Sequence, residues 1–166
     1  EMAHLKGVNV RVFSEAEANE SKVKGLKSPD VLHLATHGEF DQLSRVDTYL
    51  KSKLILAGAA DTEPFSIEDY SKYEDGFLSA YEVTQLDLPG TRLVVLSACE
   101  TGLGEIQSGE GVWGLQRAFQ LAGARTVMGS LWKISDEATV TFMETFYKSY
   151  LSQTDIYAAY RSAMQA

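Results

Sequence analysis

The sequence predicts an α/β fold in three layers, with a mostly parallel central sheet flanked by helices. Two short apolar runs, residues 31–35 and 92–98, have the continuous hydrophobic pattern of strands that a parallel sheet buries on both faces. Segments with the apolar spacing of helices alternate with such runs, which is typical of parallel α/β sheets. With 166 residues, 45% of them hydrophobic, the chain can bury one large core.

The first elements are predicted from local patterns. Apolar and polar residues alternate over Val8–Phe13, which predicts a half-buried strand. Ser14 and Glu17 have the spacing of a capping box, so a helix is predicted over residues 15–24.

The next strand, Val31–Ala35, contains His33 and ends just before His37. Between residues 39 and 76 no helical or strand period persists, apart from a short strand at 52–57. This stretch is predicted to be a surface excursion that carries a hairpin, the kind of segment on which specificity is often built.

The second half of the chain has clearer boundaries. Ser79 and Glu82 form a second capping-box spacing, and Gly123 has the position of a helix C-cap. The predicted elements are a helix at 80–85, a strand at 92–98, a helix at 112–121, a strand at 126–131, a helix at 136–151 capped by Ser135, and a final helix starting at Thr154 and Asp155.

His37 and Cys99 each follow the end of a predicted buried strand. Active sites of parallel α/β sheets lie outside the carboxyl ends of the strands, so the two side chains are expected at one sheet edge. A thiol attacks as its thiolate, and a neighbouring histidine can take its proton and later deliver it to a leaving amine. The pattern therefore predicts a cysteine peptidase, with His37 as acid–base and Cys99 as nucleophile.

Small residues beside this pair suit an oxyanion site. Backbone N–H groups can stabilise the negative charge that develops on an attacked carbonyl, and the amides of Gly38 and Cys99 are the candidates. The alternative is structural: a lone cysteine in an apolar strand is often a small buried hydrophobe. His33, inside its strand, is predicted to be a hydrogen-bonded core histidine.

Composition and motifs argue against several other classes. The net charge of −8 argues against nucleic acid as a main partner, and no apolar run is long enough for a membrane span. A single cysteine cannot form an internal disulfide, which suits the cytoplasm, and three scattered histidines give no metal-ligand spacing. Residues 109–114 (GEGVWG) match G-x-G-x-x-G, but the dinucleotide fingerprint follows its strand immediately, whereas ten residues intervene here.

Six segments of the sequence carry distinctive motifs: residues 33–38 (HLATHG), 75–83 (DGFLSAYEV), 94–102 (VVLSACETG), 109–119 (GEGVWGLQRAF), 121–124 (LAGA) and 130–139 (SLWKISDEAT). Taken together and in order, they resemble the CHAT domain, a caspase-like family that is related to separases and often attached to tetratricopeptide repeats. The resemblance covers about residues 8–166.

This resemblance implies a caspase-like sandwich, a His37–Cys99 dyad, an oxyanion site at Gly38 and the Cys99 amide, and no metal or organic cofactor. In the related separases a segment similar to 131–136 lines the pocket for the residue before the cut, so Trp132 and Asp136 are candidate pocket residues. Separases tend to carry an acidic residue where this chain has Lys133. The resemblance therefore does not support a preference for substrates with arginine before the cut.

The resemblance also implies a bacterial, cytoplasmic peptidase domain over residues 1–166, acting on a protein substrate and fused or bound to a repeat or sensor domain. The family's N-terminal portion and its closing strand have no counterpart here, so we expect a fragment of a longer chain. Two alternatives remain: a catalytically idle scaffold that docks partners, and a nucleotide-binding module built on residues 109–114.

Overall fold

A three-stranded parallel sheet lies in the first of the two units into which the chain divides, Glu1–Leu131 and Trp132–Ala166. The computed structural model describes residues 8–40, 51–59, 74–97, 110–130, 135–153 and 155–165. Within these residues the strands are β1 (Val31–Ala35), β2 (His37–Phe40), β3 (Ser52–Ile55), β4 (Phe77–Ser79), β5 (Leu93–Ser97) and β6 (Val127–Gly129). The helices are α1 (Glu20–Lys24), α2 (Ala80–Val83), α3 (Glu110–Leu121), α4 (Asp136–Gln153) and α5 (Ile156–Met164).

The parallel sheet has the order β1-β5-β6, so β5 lies between its two neighbours. All four aliphatic residues of β5, Leu93–Leu96, are buried, and both faces of this strand are therefore covered, as its unbroken apolar run predicts. In β1 only Leu32 and Leu34 are buried, whereas Val31 and His33 are half-buried. The prediction that both faces are buried is thus confirmed for β5 and wrong for β1. Among the described strands, β1 lies at the edge of the sheet. The predicted mixed α/β fold, with a parallel sheet flanked by helices, is confirmed and is consistent with the caspase-like class.

A second, antiparallel sheet has the order β2-β3-β4. The hairpin predicted for the middle of the chain is therefore confirmed as the β2–β3 pair. The third strand, β4, has only three residues and was not predicted from the sequence. All of this sheet lies in the connection between β1 and β5, which are neighbours in the parallel sheet.

The hydrophobic core of the first unit joins the two sheets and the helices. One face of the parallel sheet packs with Leu54 and Leu78 of the antiparallel sheet and with Leu115 and Phe119 of α3. The helix predicted at 112–121 is thus confirmed as α3, and Leu115, Ala118 and Phe119 lie on its buried face. α3 ends at Leu121, and Gly123 turns the chain two residues later. Its φ of +106° and its close approach to the Pro89 backbone both require a residue without Cβ.

The prediction for the first segment was wrong. Residues 8–13 form no strand and have no strand neighbour among the described residues, and Val12 is 69% exposed. The Ser14 side chain makes no cap hydrogen bond, and the predicted helix is divided into a 3₁₀ turn at Glu15–Glu17 and the short α1. Asn19 is the N-cap of α1, because its side chain accepts a hydrogen bond from the Lys22 N–H.

The second unit contains α4 and α5. Ser135 caps α4 by accepting from the Ala138 N–H at 3.2 Å, as predicted, and Asp155 caps α5 in the same way. The rings of Phe146 and Tyr150, one turn apart on α4, are stacked with their centroids 5.8 Å apart. Aromatic side chains therefore form much of the buried face of α4.

Candidate functional site

His37 lies where the chain passes from the parallel sheet to the antiparallel sheet. β1 ends at Ala35, Thr36 follows, and His37 is the first residue of β2. The Thr36 hydroxyl donates a hydrogen bond to the Ile55 carbonyl, and the His37 and Ile55 Cα atoms are partners in the β2–β3 ladder. The predicted position of His37, beyond the end of the first parallel strand, is thus confirmed, and its side chain is exposed.

The exposed His37 side chain belongs to the face of the antiparallel sheet that points away from the core. Residues directly opposite each other in antiparallel strands share a face, so His37 lies in one row with Ile55 and Phe77. In the next row Lys53 forms an ion pair with Glu39 at 3.5 Å, and the Lys53 ammonium lies 4.3 Å from the Phe77 ring centroid. Among the described residues, the surface beside His37 is therefore partly apolar and carries the charges of Glu39 and Lys53.

Gly38 is buried and lies on the opposite face of β2 from His37. Its ladder partners are Leu54 and, one strand further, Leu78, and both leucines are fully buried in the core. Core packing therefore places Gly38 and leaves His37 facing outward. The oxyanion role of the Gly38 amide stays a prediction.

The other candidate residues are less fully described. β5 ends at Ser97, and Cys99 lies outside the described residues, as does Trp132. Asp136 is the first residue of α4 and is exposed. It belongs to the second unit, so its relation to His37 stays a prediction.

His33 and Ser97 form a polar contact at the end of the parallel sheet. The two strands are in register, with His33 opposite Val95 and Ala35 opposite Ser97, so both polar side chains lie on the same face. His33 Nε2 and Ser97 Oγ are 2.8 Å apart. Burial lowers the pKa of His33 because it disfavours the charged imidazolium. The prediction that His33 is hydrogen-bonded is confirmed, but His33 is half-buried and not part of the core. Sequence reasoning missed Ser97, although its position as the last residue of the neighbouring strand could have indicated it.

A second polar cluster, formed by Glu20, Lys24 and Glu82, joins α1 to α2. The Lys24 ammonium lies 2.8 Å from a Glu20 carboxylate oxygen and 2.9 Å from a Glu82 oxygen. The other Glu20 oxygen accepts from the Gly76 N–H at 2.6 Å. Desolvation by burial raises the pKa of Glu20. Burial by itself would lower the pKa of Lys24, but its hydrogen bonds and charge interactions with the two carboxylates have the larger combined effect, so the pKa of Lys24 is raised. The single ammonium of Lys24 is shared by the two carboxylates, and the cluster thereby connects α1 to α2.

A pocket of about 320 Å³ lies next to this cluster and contains none of the sequence-predicted site residues. It is lined by Ala16, Asn19, Glu20, Ala57, Gly58, Glu74 and Gly76. Among the residues that the structure describes, no three histidine, cysteine or acidic side chains are grouped so that they could hold a metal ion. In the same part of the chain, no helix has the length and apolar character needed to cross a membrane.

Comparison with known proteins decides the family. The CHAT domain profile matches residues 2–166, almost the whole chain. The chain belongs to the CHAT domain family. The resemblance seen in the sequence motifs is thus confirmed, and this CHAT domain is related to the caspase-like peptidases.

Two relatives of this CHAT domain are human and mouse proteins named tetratricopeptide repeat protein 28. The human protein is 36% identical over 118 residues, which are 71% of this chain and 5% of the relative. The mouse protein is 34% identical over 183 aligned residues, which are 99% of this chain and 7% of the relative. The chain therefore spans less than a tenth of the length of these relatives, whose names record tetratricopeptide repeats. Both relatives are mammalian, and so they do not support the bacterial setting.

Proposed function

We propose that this CHAT domain, over residues 1–166, is a cysteine endopeptidase that cleaves protein substrates through a His37–Cys99 dyad. Membership of a family related to the caspase-like peptidases supports the reaction class. The observation that carries the proposal is the parallel pairing of β1 with β5, because His37 follows the end of one strand and Cys99 follows the end of the other.

The register of these strands limits how far apart the two groups can lie. Ala35 and Ser97 are Cα partners, so the strands are about 4.8 Å apart there. His37 and Cys99 each follow their strand's last residue by two positions, a step that spans at most about 7 Å. The two Cα atoms are therefore at most about 19 Å apart on chain geometry alone. This limit includes the shorter separations at which a histidine and a cysteine side chain can meet.

The proposed reaction has two stages. His37 takes the Cys99 thiol proton, the thiolate attacks the peptide carbonyl carbon, and the amides of Gly38 and Cys99 stabilise the oxyanion. The C–N bond then breaks as His37 gives the proton to the leaving amine, which leaves a thioacyl intermediate. Water, deprotonated by His37, attacks the thioester, releases the carboxylic acid and restores the thiol.

Substrate choice and regulation come from other parts of the protein in this proposal. Trp132 and Asp136 remain the candidates for the pocket that holds the residue before the cut. A flanking repeat or sensor domain is the proposed regulator, which the tetratricopeptide repeats named in the relatives support. The negative net charge supports a protein substrate over nucleic acid, and a cytoplasmic setting remains part of the proposal.

The alternative is an idle scaffold that keeps the fold and docks partners. The reactivity of the single cysteine distinguishes the two functions, because every thiol adduct on this chain reports Cys99. A nucleotide-binding module has less support. Twelve residues separate the end of β5 at Ser97 from the start of α3 at Glu110, so the glycine motif does not follow its strand directly.

The test is the rate at which iodoacetamide alkylates Cys99 in the folded chain between pH 5 and 9. A dyad predicts an apparent thiol pKa below the ordinary value of about 8.5. His37→Ala should raise that pKa and slow alkylation at pH 7 about 10-fold or more. An idle buried thiol would react more slowly when folded than in denaturant, with no response to His37→Ala, and that result would exclude the peptidase. A peptide chloromethyl ketone that labels the wild type but not Cys99→Ala provides the matched control.

A further inference from the structure

The first observation is that β1 and β5 each contain one polar residue, and these two residues contact each other. The strand sequences are VLHLA and LVVLS, so His33 lies in the middle of one otherwise aliphatic strand and Ser97 at the end of the other. Their Nε2 and Oγ atoms are 2.8 Å apart. A polar group within an apolar strand is unfavourable unless it is hydrogen-bonded, and each of these residues provides a partner for the other.

The second observation is the position of this contact along the sheet. Ser97 is the last residue of β5 and lies two positions before Cys99, whereas His33 lies four positions before His37. The contact therefore joins the two strands beside the edge from which both reactive groups emerge. Strand ends have few backbone partners and fray most easily, so a side-chain contact matters most at this place.

Side chains also connect β1 and β5 at the opposite end of the strand pair. The Arg92 guanidinium binds the Asp30 carboxylate with two contacts of 2.5 Å, and the Arg92 N–H donates to the Asp30 carbonyl at 2.9 Å. Both residues directly precede their strands. The strand pair is thus held by side chains at both ends, and the His33–Ser97 contact is the one near the proposed dyad.

We propose that His33 and Ser97 form a positioning pair that sets the separation between His37 and Cys99. This inference rests on the proposed function. The pair acts through the strand ends and not by touching the substrate, so neither residue is a catalytic residue. His33 Nε2 and Ser97 Oγ already satisfy each other, which leaves the proton transfers of the reaction to His37.

The experiment measures the pH profile of Cys99 alkylation by iodoacetamide in the full chain carrying Ser97→Ala or His33→Gln, and in the chain carrying both. Loss of positioning weakens the influence of His37, so each variant should raise the apparent thiol pKa and slow alkylation at pH 7 about 10-fold. The double variant should be no slower than the slower single variant, because the two residues act as a unit. Ser97→Thr, which keeps the hydroxyl, should retain most of the wild-type rate.

Asp30→Ala is the matched control, since it removes both acceptors of the side-chain connection at the other end of the same two strands. It should lower thermal stability slightly and leave the alkylation profile unchanged. If Asp30→Ala moved the profile as much as Ser97→Ala does, the effect would be a general loosening of the sheet and the positioning role would be wrong.

The failure of this inference differs from the failure of the proposed function. If His37→Ala moves the profile but Ser97→Ala and His33→Gln lower only the melting temperature, the dyad stands and the pair is merely structural. If His37→Ala has no effect, there is no dyad to position. Covalent labelling of Ser97 by a fluorophosphonate would make it a nucleophile and would also overturn the positioning role. Should His33→Gln fail to fold, the smaller Ser97→Ala change decides alone.

Discussion

Gly76 and Ala59 are in direct backbone contact. A Cβ placed on Gly76 would lie 2.1 Å from the Ala59 nitrogen, and Gly76 has a φ of +80°. Its N–H also donates to the buried Glu20 carboxylate. Gly76 directly precedes β4, whose first residue, Phe77, lies in the same row as His37. The packing of this glycine thus helps to place one edge of the sheet that carries His37.

We expect Gly76→Ala to lower the free energy of unfolding by about 3 kcal/mol or more, because the methyl group meets backbone that cannot move aside. Gly58→Ala is the matched control: Gly58 also has a positive φ, of +100°, but a Cβ there has no neighbour within 4 Å. Its cost should be the conformational strain alone, about 1 kcal/mol. If urea unfolding showed that the two variants lose the same free energy of unfolding, the steric argument would be wrong.

Lys24 connects the carboxylates of Glu20 and Glu82, so its removal leaves two buried negative charges close together. We expect Lys24→Met to cost about 2 kcal/mol, less than for a fully buried ion because the Lys24 side chain is 31% exposed. Lys148→Met provides the comparison, since Lys148 and Glu144 form an exposed pair and its loss should change stability by less than about 0.5 kcal/mol.

A second substitution checks the cause of that loss. Adding Glu20→Gln to Lys24→Met removes one unpaired charge while leaving an amide oxygen for the Gly76 N–H. The double variant should therefore be more stable than Lys24→Met alone. If it is less stable, unpaired charge is not the reason for the cost of losing Lys24.

The pH dependence of stability should depend on His33. Burial lowers its pKa in the folded chain below the ordinary 6.5, so the unfolded chain binds the proton more readily. The contribution of His33 to stability is therefore fully present above about pH 6.5 and is lost as the pH falls through the lowered folded pKa. Wild type should lose stability relative to His33→Gln between pH 7 and pH 5, measured by urea unfolding. An NMR titration of the His33 ring with a midpoint at or above 6.5 would be incompatible with this sign.

Local sequence patterns predicted an element well where tertiary contacts agreed with them. Ser14 and Ser79 each precede a glutamate by three residues, but only Ser79 forms the capping box. The Glu82 carboxylate of that box also binds Lys24, so packing reinforces the cap. Ser14 makes no cap hydrogen bond, and Glu15 adopts a φ of +50°, outside the helical region. The same four-residue pattern therefore gives different structures in different surroundings.

The sequence also predicted those features of the candidate site that depend on local pattern, but not those that depend on strand pairing. The apolar run of β1 ends locally, so the sequence could place His37 just beyond it. The pairing of β2 with β3 turns His37 outward and Gly38 toward Leu54. The sequence could not predict this pairing, because the segment around these strands has no regular apolar period. The contact between His33 and Ser97 depends on the register of two strands far apart in sequence, which no local pattern specifies.

The antiparallel sheet within the connection between β1 and β5 has a consequence for folding kinetics. Val31 and Leu93, which open the parallel pair, are 62 positions apart, whereas β2 and β3 are joined by a much shorter connection. Closing the larger loop costs more chain entropy and is slow. We therefore expect the hairpin that begins with His37 to form early and the pairing of β1 with β5 to be the late, rate-limiting event. If the proposed dyad exists, a newly synthesised chain would hold His37 in place before Cys99, and the thiol would become reactive only in the last step of folding.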